Sequence, residues 1–156
     1  EQGVILFNTV KFNTSLSAMR KLTKLGFISG RKNKELAEKY RSDLRIKVPN
    51  INQMVINLSG GNQQKVVLAK TLAADPDVII FDEPTKGIDV GAKQEIYNLM
   101  NELVAQGKAI IMVSSDMEEI LGMSDRIIVL HEGMVSGELQ RSEFSQERVL
   151  QLASGL

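Results

Sequence analysis

A serine followed by two glycines and several amides forms the first group of residues that could do chemistry. Residues 58–65 read LSGGNQQK, and a helix beginning here would leave its first backbone N–H groups without an acceptor and point its positive dipole end outward. Gly60 and Gly61 have no Cβ, so an anion can approach their backbone closely. The Ser59 hydroxyl and the Gln63 amide would add hydrogen-bond donors. The run predicts a phosphate site, although ordinary helix capping explains an isolated Ser-Gly-Gly more simply.

Two carboxylates after an apolar run form the second group. Residues 78–81 read VIIF, which predicts a buried strand, and Asp82 and Glu83 follow at its carboxyl end, where α/β sheets place their ligands. Asp82 suits a hydrated Mg²⁺, which prefers carboxylate and water oxygens. Glu83 lies where a carboxylate can polarise an attacking water. An acidic turn after a strand is common, so this run is not specific by itself.

The composition argues against several other chemistries. The 156 residues are 43% hydrophobic, 24% charged and 4% aromatic, which is enough apolar material for a folded core. The absence of cysteine rules out disulfides, cysteine–zinc sites and thiol catalysis, and a single histidine, His131, argues against a histidine metal cluster or triad. No apolar run approaches the ~20 residues that span a bilayer, and no signal-peptide pattern opens the chain. We therefore expect a cytoplasmic globular protein.

Charge is unevenly distributed along the chain. Residues 1–50 carry eleven Lys and Arg against four Asp and Glu, and residues 51–156 carry eight against fifteen. A basic segment of this kind can bind nucleic acid. Its positive charges, however, are spread along apparent helices without interleaved aromatic residues, which favours a solvated helix face.

The spacing of apolar residues and helix breakers predicts a helical first part, residues 1–74, and an alternating strand–helix second part, residues 75–156. Continuous apolar strands between helices are typical of a parallel sheet buried on both faces, and the turn at residues 131–133 adds an antiparallel edge. We therefore predict an α/β fold. The predicted strands are residues 3–7, 78–81, 109–113, 126–130 and 134–138, and the predicted helices are residues 14–25, 31–45, 62–74, 91–105, 116–121 and 145–153.

The two groups are far more specific together than apart. Asp82 lies 23 positions after Ser59, the length of one helix and a short turn, and residues 87–89 (GID) and 114–116 (SSD) follow in order. This order resembles the ATP-binding cassette (ABC) family, in which a signature motif, Walker B, D-loop and switch region follow one another. The resemblance covers essentially the whole chain. The runs closest in wording to the second cassette of bacterial monosaccharide importers, of the ribose/galactoside/xylose group, are residues 58–65, 82–92 and 123–126.

The resemblance implies the C-terminal portion of an ABC nucleotide-binding domain, in which helices flank the parallel sheet of a RecA-like core, with an α-helical subdomain added. In this family two cassettes meet head to tail and sandwich two ATP molecules, each ATP contacted by the signature motif of the opposing cassette. The residues implied to contact the γ-phosphate of that ATP are Ser59, Gly60, Gly61 and Gln63.

Further positions are implied to serve the chain's own nucleotide or the interface between cassettes. Asp82 would hold Mg²⁺ through water, Glu83 would act as the general base, and Asp89, in the D-loop, would lie at the interface. Ser115 occupies the switch position, where the family usually has a histidine, and cannot carry an imidazole's charge. His131 lies in the predicted hairpin turn, where we expect a surface residue that cannot substitute for it.

The phosphate-binding loop G-x-x-x-x-G-K-[ST] does not occur in the 156 residues. The strand and adenine contacts expected before residue 1 are missing as well, as is the Q-loop position. We therefore expect the isolated chain to bind ATP weakly and hydrolyse none. The serine at the switch position fits a degenerate site in this cassette, whose signature motif completes a competent site on the other.

The resemblance implies an ATP-binding and ATP-hydrolysing subunit of a sugar importer, peripheral on the cytoplasmic face of the membrane. The implied partners are the first cassette and the membrane permease subunits, on which the basic helical part would dock, and no nucleic acid is expected. Half of a parallel sheet with open strand edges predicts self-association. Two alternatives stay open: a soluble ABC ATPase that acts on nucleic acid, and a non-catalytic fragment that only binds a partner.

Overall fold

The computed structural model describes residues 3–24, 26–87 and 90–155, and the chain divides into two units, residues 1–77 and 78–156. Unit 1 contains helices α1 (Val10–Leu16), α2 (Met19–Leu22), α3 (Gly30–Asp43) and α4 (Gly60–Ala73), a 3₁₀ turn (Val55–Asn57) and strands β1 (Thr23–Lys24) and β2 (Phe27–Ile28). Unit 2 contains strands β3 (Val78–Asp82), β4 (Ala109–Val113), β5 (Arg126–His131) and β6 (Met134–Gln140), helices α5 (Val90–Ala105), α6 (Met117–Met123) and α7 (Gln146–Ala153), and a 3₁₀ turn (Arg141–Glu143).

Helix α1 packs against both α3 and α4 and forms the centre of unit 1. Val10, Val55 and Val66 are fully buried there, on α1, on the 3₁₀ turn and on α4. The predicted helices over residues 31–45 and 62–74 are confirmed, because α3 and α4 match these ranges to within two residues at each end. This packing fixes the first turn of α4, where the serine and glycines lie.

The predicted strand at residues 3–7 is wrong, and a buried side chain explains why. Asn13 is fully buried; its Oδ1 accepts the Ile5 N–H at 2.7 Å, and its Nδ2 donates to the Ile5 carbonyl at 3.0 Å. The amide also donates to the carbonyl of Thr9 at 3.0 Å. Because an asparagine side chain satisfies this backbone, the segment forms turns and needs no neighbouring strand.

The predicted helix over residues 14–25 is also corrected. Helix α1 begins at Val10 because the Thr9 hydroxyl accepts the Phe12 N–H at 3.1 Å and caps the first turn. It ends at Leu16, after which the chain forms the short helix α2 and then the antiparallel β1–β2 hairpin. Gly26, which directly follows the predicted helix, turns this hairpin with φ +83°.

Asn13→Ala should lower the free energy of unfolding by about 1–3 kcal/mol, because it leaves the Ile5 N–H without its acceptor and removes the amide's bonds to the Ile5 and Thr9 carbonyls. Chemical denaturation followed by circular dichroism measures the loss. Asn57→Ala is the matched control, since Asn57 is exposed and should tolerate the change. Equal stability of the two variants would contradict the role given to Asn13.

Strands β3 and β4 pair in parallel, in a register that runs from Val78 opposite Ala109 to Asp82 opposite Val113. Helix α5 packs on β4, and its residues Ile96, Met100 and Leu103 are buried. The predicted strands at residues 78–81 and 109–113 and the helix over residues 91–105 are therefore confirmed. The register places the ends of both strands side by side.

The expectation that the parallel sheet is buried on both faces is wrong for the described structure. Ile79 and Phe81 are 3% and 6% exposed, whereas Val78 and Ile80, which point to the opposite face, are 53% and 67% exposed. Ile111 on β4 is also half exposed. Helices cover one face only, so the other presents apolar side chains to solvent.

Strands β5 and β6 form the predicted antiparallel hairpin, which pairs as a two-stranded sheet and not as an edge of the β3–β4 sheet. Helix α7 packs on the hairpin around Ile127, Val129 and Val149. His131 is half-buried and not a free surface residue, because its Nδ1 lies 2.8 Å from the carbonyl of Ala153 at the end of α7. Its ring joins the hairpin to that helix.

Across residues 3–24, 26–87 and 90–155, every helix lacks the length and apolar character that crossing a bilayer requires.

Candidate functional site

The first turn of α4 is open to solvent. Ser59 precedes the helix in an extended conformation, but its side chain makes no capping bond to the first-turn N–H groups. Gly60 and Gly61 are exposed, and a Cβ built on either would meet no atom within 4 Å. Ordinary serine capping, the simpler explanation of this run, is therefore not what the structure contains. The N–H groups and dipole of the helix end stay available to an anion.

Two amides beside this helix end are engaged with the protein itself. The Asn62 amide donates to Ser59 Oγ at 2.9 Å, and its Oδ1 accepts the Lys47 N–H at 2.8 Å. The Gln63 amide donates to the carbonyls of Val55 and Leu58 at 3.2 Å and 3.1 Å. The role of Gln63 as a phosphate donor stays a prediction; in the structure its amide nitrogen is directed to the preceding backbone and holds that segment to the helix.

In unit 2, the parallel register brings Glu83 and Ser115 together although they are far apart in sequence. The Glu83 N–H donates to the Val113 carbonyl at 2.8 Å and extends the pairing of β3 with β4 by one residue. Glu83 then takes the left-handed conformation, φ +48°, which turns the chain out of the strand. The Ser115 hydroxyl donates to Glu83 Oε2 at 3.0 Å.

These two residues line a cleft of about 430 Å³, together with Thr85, Lys86, Gly87, Lys93 and Asp116. Lys93 of α5 donates to Asp116 Oδ2 at 2.7 Å. That hydrogen bond raises the pKa of Lys93 and lowers the pKa of Asp116. The backbone N–H groups of Glu118 and Glu119, at the start of α6, lower the pKa of Asp116 further. The sequence does not point to Lys93, since only the packing of α5 brings it to the switch segment, residues 114–116, which carries Ser115.

Asp116 and its neighbour Ser114 fix the segment that carries Ser115. Asp116 Oδ1 accepts the N–H groups of Glu118 and Glu119 at 3.1 Å and 3.3 Å and caps α6. The Ser114 hydroxyl donates to Glu119, which is 3% exposed, and accepts the Asp116 N–H at 3.0 Å. The switch segment is thus bound on both sides of Ser115.

Asp82, the last residue of β3, is exposed at the carboxyl end of the sheet. Within the described ranges, no three Asp, Glu or His side chains gather to hold a metal. A single exposed carboxylate fits Mg²⁺ bound mainly by water and phosphate, the usual arrangement for nucleotide-bound magnesium. Asp89, the expected interface residue, lies outside the described residues.

Comparison with known proteins gives consistent matches. A family model described as ABC transporter matches residues 2–86. The chain is 53% identical over 153 residues to the xylose import ATP-binding protein XylG of Thermoanaerobacter pseudethanolicus, covering 98% of this chain and 30% of that protein. It is 52% identical over 155 residues to the ribose import ATP-binding protein RbsA of Oceanobacillus iheyensis, covering 99% and 31%. The chain thus spans about a third of the length of the curated relatives it matches.

Solved structures agree in fold. The dimeric structure of a post-hydrolysis state of the ATP-binding cassette MJ0796, bound to ADP and Pi, matches with a TM-score of 0.77 at 28% identity, over 92% of this chain and 62% of that one. The ATP-binding cassette MJ1267 matches with a TM-score of 0.75 at 22% identity, over 93% and 62%, which shows the fold alone. The predicted α/β fold class is confirmed.

Asp116→Asn should reduce the loss in free energy of unfolding that occurs as the pH falls into the acid range. Because the folded pKa of Asp116 lies below its ordinary value of 3.8, its carboxylate stabilises the fold above that pH, and this contribution disappears as pH falls through the lowered pKa. Asparagine keeps the helix cap but cannot titrate. Urea unfolding measured over a series of pH values should therefore show a smaller acid loss for the variant.

The exposed Asp125 lies in the same unit, so Asp125→Asn is the control and should retain the wild-type pH dependence. If the wild type and Asp116→Asn lose the same free energy of unfolding as the pH falls, the stabilising ion pair between Lys93 and Asp116 is contradicted.

Proposed function

This chain belongs to the ABC transporter family, and we propose that it is part of the ATP-binding subunit of a sugar importer. Relatives named as xylose and ribose import ATP-binding proteins, at 53% and 52% identity, support the sugar-import assignment. The observation that carries the proposal is the open first turn of α4, where an uncapped helix end meets Ser59 and two exposed glycines.

In this proposal the helix end acts on an ATP held by an opposing cassette. The N–H groups at Gly60 and Gly61 and the Ser59 hydroxyl donate to the oxygens of the γ-phosphate. Their strength comes from preorganisation, because donors that are fixed before charge develops need no rearrangement in the transition state. Gln63 acts indirectly by holding the backbone before the helix in place.

The chain's own nucleotide site is proposed to be degenerate. Ser115 presents a neutral hydroxyl where an imidazole would carry charge, and it already occupies one oxygen of Glu83. That oxygen is therefore less available to accept a hydrogen bond from an attacking water. Asp82 would hold a water-coordinated Mg²⁺, which supplies charge neutralisation to phosphate, and Asp89 would lie at the cassette interface. These 156 residues contain no G-x-x-x-x-G-K-[ST] loop, so we expect no ATP turnover from the chain alone.

The proposed partners are the first cassette, the permease subunits and, for the isolated chain, a second copy. The exposed apolar face of β3 and β4 supports association, since such faces seldom remain in contact with water. Function on the cytoplasmic face of the membrane follows from the importer assignment. Sedimentation velocity of the purified chain tests self-association, and a single monomeric species would contradict it.

The alternative role on nucleic acid has little support in the structure. The positive charges of α3 are partly neutralised along the helix, where Arg31 lies 3.6 Å from Glu35 and Arg41 lies 3.0 Å from Glu38. Arg41 also donates to the Val48 carbonyl at 2.9 Å. These contacts support a solvated helix face over a phosphate-binding stripe.

Ser59→Ala in the natural gene product that carries this sequence, assembled with its transporter, should lower ATP turnover by about 10- to 100-fold, because it removes a preorganised donor. Glu83→Gln is the matched comparison and should change turnover by less than about 3-fold, since the competent site takes its base from the other cassette. Turnover is measured as phosphate release under saturating Mg·ATP. A large loss with Glu83→Gln and none with Ser59→Ala would contradict the proposal.

A further inference from the structure

Asn62 is held by hydrogen bonds at both ends of its side-chain amide. Its Oδ1 lies 2.8 Å from the backbone nitrogen of Lys47, and its Nδ2 lies 2.9 Å from Ser59 Oγ. A backbone N–H can only donate, so the end of the amide that faces Lys47 must be the oxygen. The other end, facing Ser59, is therefore the nitrogen, and it donates.

This arrangement decides which way the Ser59 hydroxyl points. A hydroxyl has one proton and two acceptor lone pairs, and here one lone pair receives the bond from Asn62. The proton is consequently directed away from Asn62. Asn62 is the side-chain partner that the described structure gives to Ser59 Oγ, and the oxygen does not cap the helix. The hydroxyl proton of Ser59 therefore points toward the open side of the helix end.

We propose that Asn62 is a positioning residue that sets the Ser59 hydroxyl as a donor toward the phosphate. The inference rests on the proposed function, in which that phosphate belongs to ATP on an opposing cassette. Asn62 needs no contact with the nucleotide for this role. Gln63, the next residue, cannot take it over, because its amide is already bound to the carbonyls of Val55 and Leu58.

The donor that orients Asn62, the backbone N–H of Lys47, is itself fixed by α3. The Ile46 N–H donates to the Arg41 carbonyl at 2.9 Å, and the Arg41 guanidinium donates to the Val48 carbonyl at 2.9 Å. Ile46 and Val48 are also buried, at 4% and 8% exposure. The backbone around Lys47 is thus bound on both sides, which keeps its N–H aimed at Asn62.

Asn62→Asp tests the direction of the hydrogen bond with little change in shape. The new carboxylate still accepts the Lys47 N–H, but it cannot donate, so the Ser59 proton must turn toward it and away from the phosphate. In the assembled gene product we expect kcat for ATP to fall by roughly 10- to 100-fold, with a smaller change in KM and an unchanged melting transition.

Two controls separate direction from charge and from folding. Asn57→Asp adds the same charge at an exposed residue near the motif that has no bond to Ser59, and it should leave kcat near the wild-type value. Asn62→Ala removes the donor without adding charge and should give an intermediate loss of kcat, since the hydroxyl can then rotate. If Asn62→Asp fails to fold, this second variant decides: wild-type kcat in Asn62→Ala overturns the inference.

A double-mutant cycle with Ser59→Ala shows whether Asn62 acts through Ser59. We expect the double variant with Asn62→Asp to be no slower than Ser59→Ala alone, because the proton that Asn62 directs is already gone. Additive losses would overturn the positioning role while leaving the proposed function intact. If Ser59→Ala itself leaves kcat unchanged, the proposed function fails and the inference fails with it.

Discussion

The unpaired N–H groups at the start of α4 are the constraint on which the rest of unit 1 depends. An isolated helix would satisfy part of this end with the side chain of its capping serine, but here Ser59 bonds to Asn62 and leaves the end open. Gln63 fixes the backbone that enters the helix, and Lys47 orients Asn62. The contacts of Ser59, Asn62 and Gln63 thus leave the helix end open.

A different constraint, strand register, organises unit 2. Because Asp82 pairs with Val113, the residues that follow the two strands emerge side by side, and Ser115 reaches Glu83. The ion pair between Lys93 and Asp116 then fixes the switch segment. As a consequence, the carboxylate of Glu83, at the carboxyl end of β3, already accepts a hydrogen bond from Ser115. Unit 1 thus contains an uncapped helix end, and unit 2 contains a carboxylate that already accepts a hydrogen bond.

Much of the fold and both motifs could be predicted from sequence, since long periodic helices and short apolar strands carry strong local signals. The misses have physical causes. The strand predicted at residues 3–7 failed because Asn13, eight residues after Ile5, satisfies its backbone from within the core. The direction of the Gln63 amide and the arrival of Lys93 at the switch segment depend on tertiary packing, which no local pattern records. Apolar runs also predict burial on two faces, although one face of β3 is exposed.

Accessibility of Ser59 in the presence of nucleotide tests the central claim most directly. The described chain contains no cysteine, so Ser59→Cys places a thiol whose labelling by maleimide can be located by mass spectrometry in the assembled gene product. We predict that saturating Mg·ATP slows labelling at this position, while labelling of the control Ser142→Cys, at an exposed residue of unit 2, does not change. Equal labelling rates at Ser59→Cys with and without Mg·ATP would contradict a signature motif that closes over the nucleotide of an opposing cassette.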